Sequence, residues 1–307
     1  MSTVICITGA RNRGIHLWMK WGKNWAILLL ALGKIKISLL VTLTAATGYL
    51  LAEGGLTIRM LMTAAAVFLL SCGSCALNQY QERETDRLMD RTKGRPLPSG
   101  KLSPGVSLLI SLSLLVTGET ILAYGAGLMP WALGLLAVIW YNGVYTYLKK
   151  KTPFAAIPGA LIGMIPPVIG WVAGGGNLLD ERIGVMAVFF FTWQVPHFWL
   201  LLLDRGPDYE KAGFPSLTRI LTPMQLRRII SVWIFATVVT SMIIPLFGLV
   251  RSCVINGSLF AVGFWLVWKT LRVLETKNQG LPFSVNFKVL NSYVLIVIFL
   301  LAMDKLI

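Results

Sequence analysis

Charge is scarce in this chain, acid scarcer, and histidine almost missing. Asp, Glu, Lys and Arg together make up 13% of the 307 residues, against about a quarter in ordinary soluble domains. With a hydrophobic share of 56% and a mean hydropathy of +0.71, this excludes a soluble globular fold and a disordered chain. His16 and His197 are the only histidines, too few for a histidine-built metal centre. Four cysteines (Cys6, Cys72, Cys75 and Cys253) exclude a disulfide-stapled scaffold. Cys72 and Cys75 form a lone Cys-x-x-Cys inside an apolar run, and read as small, polarizable helix-packing residues.

Long apolar stretches dominate instead, at residues 35–52, 57–79, 104–124, 129–148, 154–174, 182–203, 226–248, 252–269 and 286–303. Each approaches the roughly 20 residues that cross a bilayer as a helix. None alternates as a membrane β-strand would. The expectation is an all-α polytopic membrane protein of about nine transmembrane helices in one bundle, with an active-site cavity on the cytoplasmic side. Prolines at 158, 166, 167, 196 and 245 predict kinks.

Alternating spans sort the loops onto two sides. All but four of the 28 Lys and Arg residues fall on one side; the exceptions are Arg59, Arg182, Arg251 and Lys305. The positive-inside rule makes the rich side cytoplasmic, with the N-terminus inside and the C-terminus outside. It also accounts for the net charge of +15 without nucleic acid. Residues 1–33 are basic and contain no acid, and read as a cytoplasmic-side interfacial segment ahead of a membrane domain spanning 34–305.

Seven of the 13 acids sit in two cytoplasmic loops. In the first, Asn78, Glu82, Asp86 and Asp90 recur every four residues, and Arg83, Arg87, Arg91 and Arg95 recur one position round. On a helix this sets an oxygen-rich stripe beside a guanidinium stripe, until Gly94 and Pro96 stop it. In the second, Asp204 and Asp208 repeat the spacing four spans later, so the chain carries the mark of a diverged internal repeat. Magnesium takes oxygen ligands and shares them with phosphates, and arginine and lysine grip phosphate. The pattern predicts a Mg²⁺–diphosphate site at the mouth of a membrane cavity whose apolar walls hold a hydrocarbon tail. Two other readings stand beside it: solvated, mutually paired loop charges, and a lipid-diphosphate transporter. A transporter would place its acids near the midplane, where only Glu119 lies.

Asn-x3-acid-x3-Asp followed by Met89-x-Arg91-Thr-x2-Arg95-Pro resembles the UbiA superfamily of intramembrane prenyltransferases. Tyr145-x3-Lys149 and the run from Gly159 through Pro166-Pro167 to Trp171 extend the likeness. Trp193-Gln-Val-Pro-His197-Phe and Asp208-Tyr-x3-Gly-x-Pro resemble one branch, which farnesylates protoheme IX. The resemblance implies transfer of a farnesyl group from farnesyl diphosphate to a vinyl group of heme b, with addition of water, to give heme o. It implies Mg²⁺ held by Asn78, Glu82, Asp86, Asp204 and Asp208. Diphosphate would lie on Arg91, Arg95 and Lys149, Tyr145 near the departing group, and Trp193 and His197 on the acceptor side. Catalytic weight would fall on Asp86, Asp208, Tyr145, Lys149 and His197. Glu82 departs from the Asp usual in the family. A ring acceptor of the quinone-precursor type is the alternative within the superfamily. A bacterial inner membrane, and a heme a synthase or terminal oxidase assembly as partner, are implied by the family alone.

Overall fold

The computed structural model describes residues 25–53, 55–275 and 283–306. Most of the basic N-terminal segment therefore lies outside the described residues. Nine helices among those described are long and apolar enough to cross a membrane: α1 (Ile35–Glu53), α2 (Ile58–Gln81), α3 (Pro104–Ala126), α4 (Leu128–Leu148), α5 (Pro153–Ala173), α6 (Glu181–Leu203), α7 (Pro223–Phe247), α8 (Cys253–Arg272) and α9 (Asn286–Leu306). No strand occurs among the described residues.

Short polar signals set where these helices begin. Ser103 caps α3 through the Val106 N–H, with Pro104 at the first turn. Thr222 and Gln225 form a reciprocal capping box at α7, followed by Pro223. Thr57 caps α2 and Asp180 caps α6. Each supplies an oxygen to amides that have no partner within the helix.

The bundle has two apolar cores that meet at α5. One joins α1, α2 and α3 through Ala45, Tyr49, Leu70 and Leu115; the other joins α6, α7, α8 and α9 through Phe189, Phe190, Leu259 and Tyr293. Lipid-side residues such as Leu109, Val116, Leu246 and Phe264 stay exposed, as a hydrocarbon solvent permits. Two glycines let α5 lie against α1. A Cβ on Gly170 would stand 1.8 Å from the Ala45 carbonyl oxygen, and one on Gly48 would stand 2.0 Å from that of Pro167. Small residues perform this service in membranes, where lipid tails are as apolar as leucine and contact must come from close backbone approach. The Gly159-x3-Gly163 pair also packs internally, against the Tyr145 ring and the Gln194 side chain.

Two π-helical turns were not legible in the sequence: Leu122–Ala126 at the end of α3 and Ile139–Tyr145 within α4. A π-turn leaves backbone groups outside the regular ladder. Gln81 answers the second one. Its Nε2 donates to the Asn142 carbonyl at 3.0 Å, while Asn142 Nδ2 donates to Gln81 Oε1 at 3.2 Å and to the Ser74 carbonyl at 3.0 Å. This polar clasp docks the end of α2 on α4.

Gly170→Ala should force α1 and α5 apart and cost about 3 kcal/mol, the upper range for overpacking. Thermal denaturation in detergent should show a clear loss, whereas Gly105→Ala, with open space around it, should melt as the native chain does.

Candidate active site

The oxygen-rich stripe does not run along one helix. The helix from Ile58 ends at Gln81, Glu82 takes a junction conformation (φ −108°, ψ 9°), and a short helix, Arg83–Leu88, follows. Met89 is extended, so Asp90 leaves the stripe and faces outward. The guanidinium stripe disperses with it: Arg83 and Arg87 pair with Glu84 on the surface, and Arg95 turns inward. The junction lets Glu82 and Asp86 reach two different cations. The Glu82 carboxylate meets Lys149 Nζ at 2.6 and 2.7 Å, and Asp86 Oδ2 accepts from Arg95 Nη1 at 2.7 Å. Asp86 is 1% exposed and Glu82 5%, so both pairs lie in low dielectric where charge–charge contacts are strong and unpaired charge is costly. Asn78, one turn earlier, is buried and donates to Thr146 Oγ1 at 3.1 Å.

The second loop repeats the device. The helix from Glu181 ends at Asp204, Arg205 adopts φ −115° and ψ 12°, and a second six-residue helix, Gly206–Lys211, follows. Spans α2 and α6 thus end in the same junction, in support of an internal repeat. The acids are set differently on it. Asp204 closes its long helix, where Glu82 is the junction itself; the Asp204 side chain lies outside what is described. Asp208 reaches across to the first loop, where its two oxygens accept the Asp90 N–H at 3.3 Å and the Arg91 N–H at 3.2 Å. Lys211 Nζ reinforces this tie with a 2.5 Å contact to Asp90 Oδ2. Lys211, then Lys93, hold the Asp90 carboxyl down at about 2. The contribution of that pair is present above the usual carboxylate value near 3.9 and is lost as pH falls toward 2. Among the described residues no three acids, cysteines or histidines gather as a ready-made metal cage; Glu82, Asp86 and Asp90 are instead paired with cations.

Of the cations at this edge, Arg91 and Lys34 carry no ion pair among the described residues. Arg91 is held below the ordinary arginine range by burial and then by the nearby Arg95 guanidinium. Lys34, which sequence reasoning missed, precedes α1 with a left-handed φ of 46°. Burial pushes its ammonium down, and Arg95, Lys149 and Glu82 are among the charges that act on it. Only the bend between the helix of residues 25–32 and α1 brings it there. Lys34, Arg91, Arg95 and Lys149 thus bring four cations to the edge that holds Glu82 and Asp86, and guanidinium and ammonium groups are the side chains that grip phosphate.

Behind the cations lies an aromatic wall. The Tyr145 ring stacks between Tyr141 (5.9 Å) and Phe198 (5.5 Å), with Lys149 Nζ 5.5 Å from its centroid. Gly159 leaves room for it. Phe198 passes the contact on to His197 (5.7 Å), which also meets Trp193 (5.1 Å) and Phe287 (4.8 Å). The Trp193 Nε1–H is buried and has no hydrogen-bond partner among the described residues. Cations, aromatic wall and histidine thus form one continuous path from the loops into the bundle.

The sequence profile of the UbiA prenyltransferase family matches residues 39–291. The chain belongs to the UbiA prenyltransferase family. It is 40% identical over 220 residues to the protoheme IX farnesyltransferase of Geobacter sulfurreducens, covering 72% of this chain and 81% of that one. It is 31% identical over 277 residues to that of Oleidesulfovibrio alaskensis, covering 90% and 96%. Solved UbiA-type structures share the fold. A digeranylgeranylglyceryl phosphate synthase superimposes with a TM-score of 0.74 at 17% identity, over 92% of this chain and 98% of the other. A UbiA homolog from Archaeoglobus fulgidus bound to GPP and Mg²⁺ superimposes with 0.65 at 16% identity, over 89% and 99%. The chain is an integral membrane protein of this family, and the sequence expectation of an all-α, nine-span bundle holds.

Removing Glu82 charge should strand the Lys149 ammonium. Glu82→Gln should cost about 3 kcal/mol, the low end for breaking a buried pair, and Glu82→Gln with Lys149→Met should recover much of it in the same thermal assay. Asp208→Ala should free the Asp90 and Arg91 amides. Losing on the order of 1 kcal/mol of hydrogen bonding would speed tryptic cleavage after Arg91 or Lys93 about fivefold, read by mass on opened vesicles.

Proposed function

We propose that this enzyme transfers the farnesyl group of farnesyl diphosphate to a vinyl group of heme b and, with addition of water, makes heme o. Identity of 31–40% to proteins named protoheme IX farnesyltransferase, over most of the chain, carries the reading. The path from cation cluster to aromatic wall to His197 supports it by its order.

The donor's diphosphate lies on Arg91, Arg95, Lys149 and Lys34, and its isoprenoid chain runs along the Tyr141–Tyr145–Phe198 wall. Asn78, Glu82 and Asp86, with Asp204 and Asp208 from the second loop, supply hard oxygen donors of the kind magnesium selects. Bound there, Mg²⁺ would offset the charge that develops on the leaving diphosphate. As the C1–O bond breaks, the electron pair leaves with diphosphate, and Arg95 and Lys149 stabilise it from fixed positions. Tyr145 lies near the departing group, in the aromatic wall beside which the cationic carbon forms and whose ring quadrupoles favour positive charge. The heme vinyl group supplies the electron pair for the new C–C bond. Water then adds to the resulting cation and loses a proton. Trp193 and His197 hold the porphyrin. The apolar interior of the bundle protects the allylic cation from water until the acceptor is in place.

We infer that the site opens on the cytoplasmic face of a bacterial inner membrane, N-terminus inside and C-terminus outside, because all but four of the 28 Lys and Arg residues fall on its side. The product is a heme with a new hydrophobic tail, fit for hand-over within the bilayer to a heme a synthase or a terminal oxidase assembly.

Membranes of a bacterial host lacking its own heme O synthase, made to express this chain, should contain a farnesylated hydroxyethyl heme identifiable by mass. Heme b alone, from well-inserted protein, would overturn the acceptor and favour a quinone-precursor ring. Asp86→Asn should insert normally and lower turnover by about a hundredfold; near-native turnover would remove Asp86 from the ion site.

A further inference from the structure

His197 does not stand alone in the bundle. Its Nδ1 lies 2.7 Å from Asn291 Oδ1, on α9, across 94 positions of chain. The Asn291 amide cannot turn round, because its Nδ2 donates to the Phe287 carbonyl at 2.7 Å. An amide oxygen only accepts, so the proton of the neutral imidazole sits on Nδ1, and Nε2 carries the lone pair. Phe287, whose carbonyl fixes Asn291, also lays its ring against the imidazole at 4.8 Å. Trp193 also meets the imidazole, edge to face, at 5.1 Å. One turn of α9 thus fixes both the tautomer and the tilt of a histidine on α6.

We propose that Asn291 is a positioning residue that holds His197 with Nε2 presented as the lone-pair donor to the iron of the heme acceptor. The inference rests on the heme reading above. A lone pair at Nε2 repels a propionate and gives a vinyl carbon nothing to bond, whereas iron takes it directly. The arrangement matches the general design in which a ligating histidine donates its other N–H to a fixed oxygen, which raises its basicity and orients its ring. Holding heme through its iron leaves the porphyrin edge free to meet the donor, and Phe198 links the His197 ring to the Tyr145 wall.

The test uses the full chain in lipid nanodiscs, titrated with ferric heme b and, separately, with metal-free protoporphyrin IX. Asn291→Leu should weaken ferric heme about tenfold, at the low end for loss of an outer-shell partner, and move the Soret spectrum toward that of His197→Ala. It should leave protoporphyrin binding and the KM for farnesyl diphosphate unchanged. Asn291→Asp, which keeps an acceptor for the Nδ1–H but loses the donor to the Phe287 carbonyl, should retain more ferric heme affinity than Asn291→Leu. Asn291→Ala repeats the first arm should the leucine variant fail to insert. A native spectrum and affinity in the leucine or alanine variant would overturn the proposal, as would equal weakening of both porphyrins. Failure of the underlying reading looks different: the native chain itself then makes no heme o from farnesyl diphosphate and heme b.

Discussion

Two ion pairs sunk in low dielectric, Glu82–Lys149 and Asp86–Arg95, organise this protein's functional end. Each joins parts of the chain that an apolar bundle would otherwise leave unrelated. The first ties the α2 junction to the end of α4, and the second folds the loop after Met89 back over the short helix. Neither carboxylate nor cation tolerates burial alone, so the four side chains fix one another. The π-turn of α4, clasped by Gln81 and Asn142, belongs to the same construction, because it ends at Tyr145 and delivers Lys149 to Glu82.

The two halves of the molecule contribute unequally to this end. Both α2 and α6 finish in a one-residue junction and a six-residue helix. In the first half the acids turn inward onto cations. In the second, Asp208 turns across and fastens the first loop by its backbone. One repeated device therefore builds the charge cluster in one half and the strap over it in the other. The strap is made of exposed, hydrogen-bonded groups, and such contacts open more readily than buried ones. A substrate headgroup that competes for these cations would meet its least resistance there.

Much of this was legible before any coordinates. Nine apolar runs and the two acidic loops gave the bundle and the edge on which chemistry collects, because a bilayer leaves so few solutions to backbone hydrogen bonding. The four-residue period of Asn78, Glu82, Asp86 and Asp90 misled in one respect. It matches helical spacing, but the helix breaks at Glu82 and again at Met89, and on either side of the first break Glu82 meets Lys149 while Asp86 meets Arg95. Lys34 looked like one basic residue among many near the start of the chain. Asn291 looked like an ordinary polar residue in the last span, since nothing in its own stretch of sequence points to a histidine 94 positions away.

The sequence by itself determined the solvent, the number of crossings, the family and the residue types that collect at one edge of the bundle. Those follow from composition and local spacing, which act over one or two helical turns. Only the tertiary structure decided which cation neutralises which acid, where the helix yields, and which nitrogen of His197 carries the proton. Those choices depend on partners far apart in the chain, and in a low-dielectric bundle each buried polar group is settled by whichever partner close packing brings within hydrogen-bond reach.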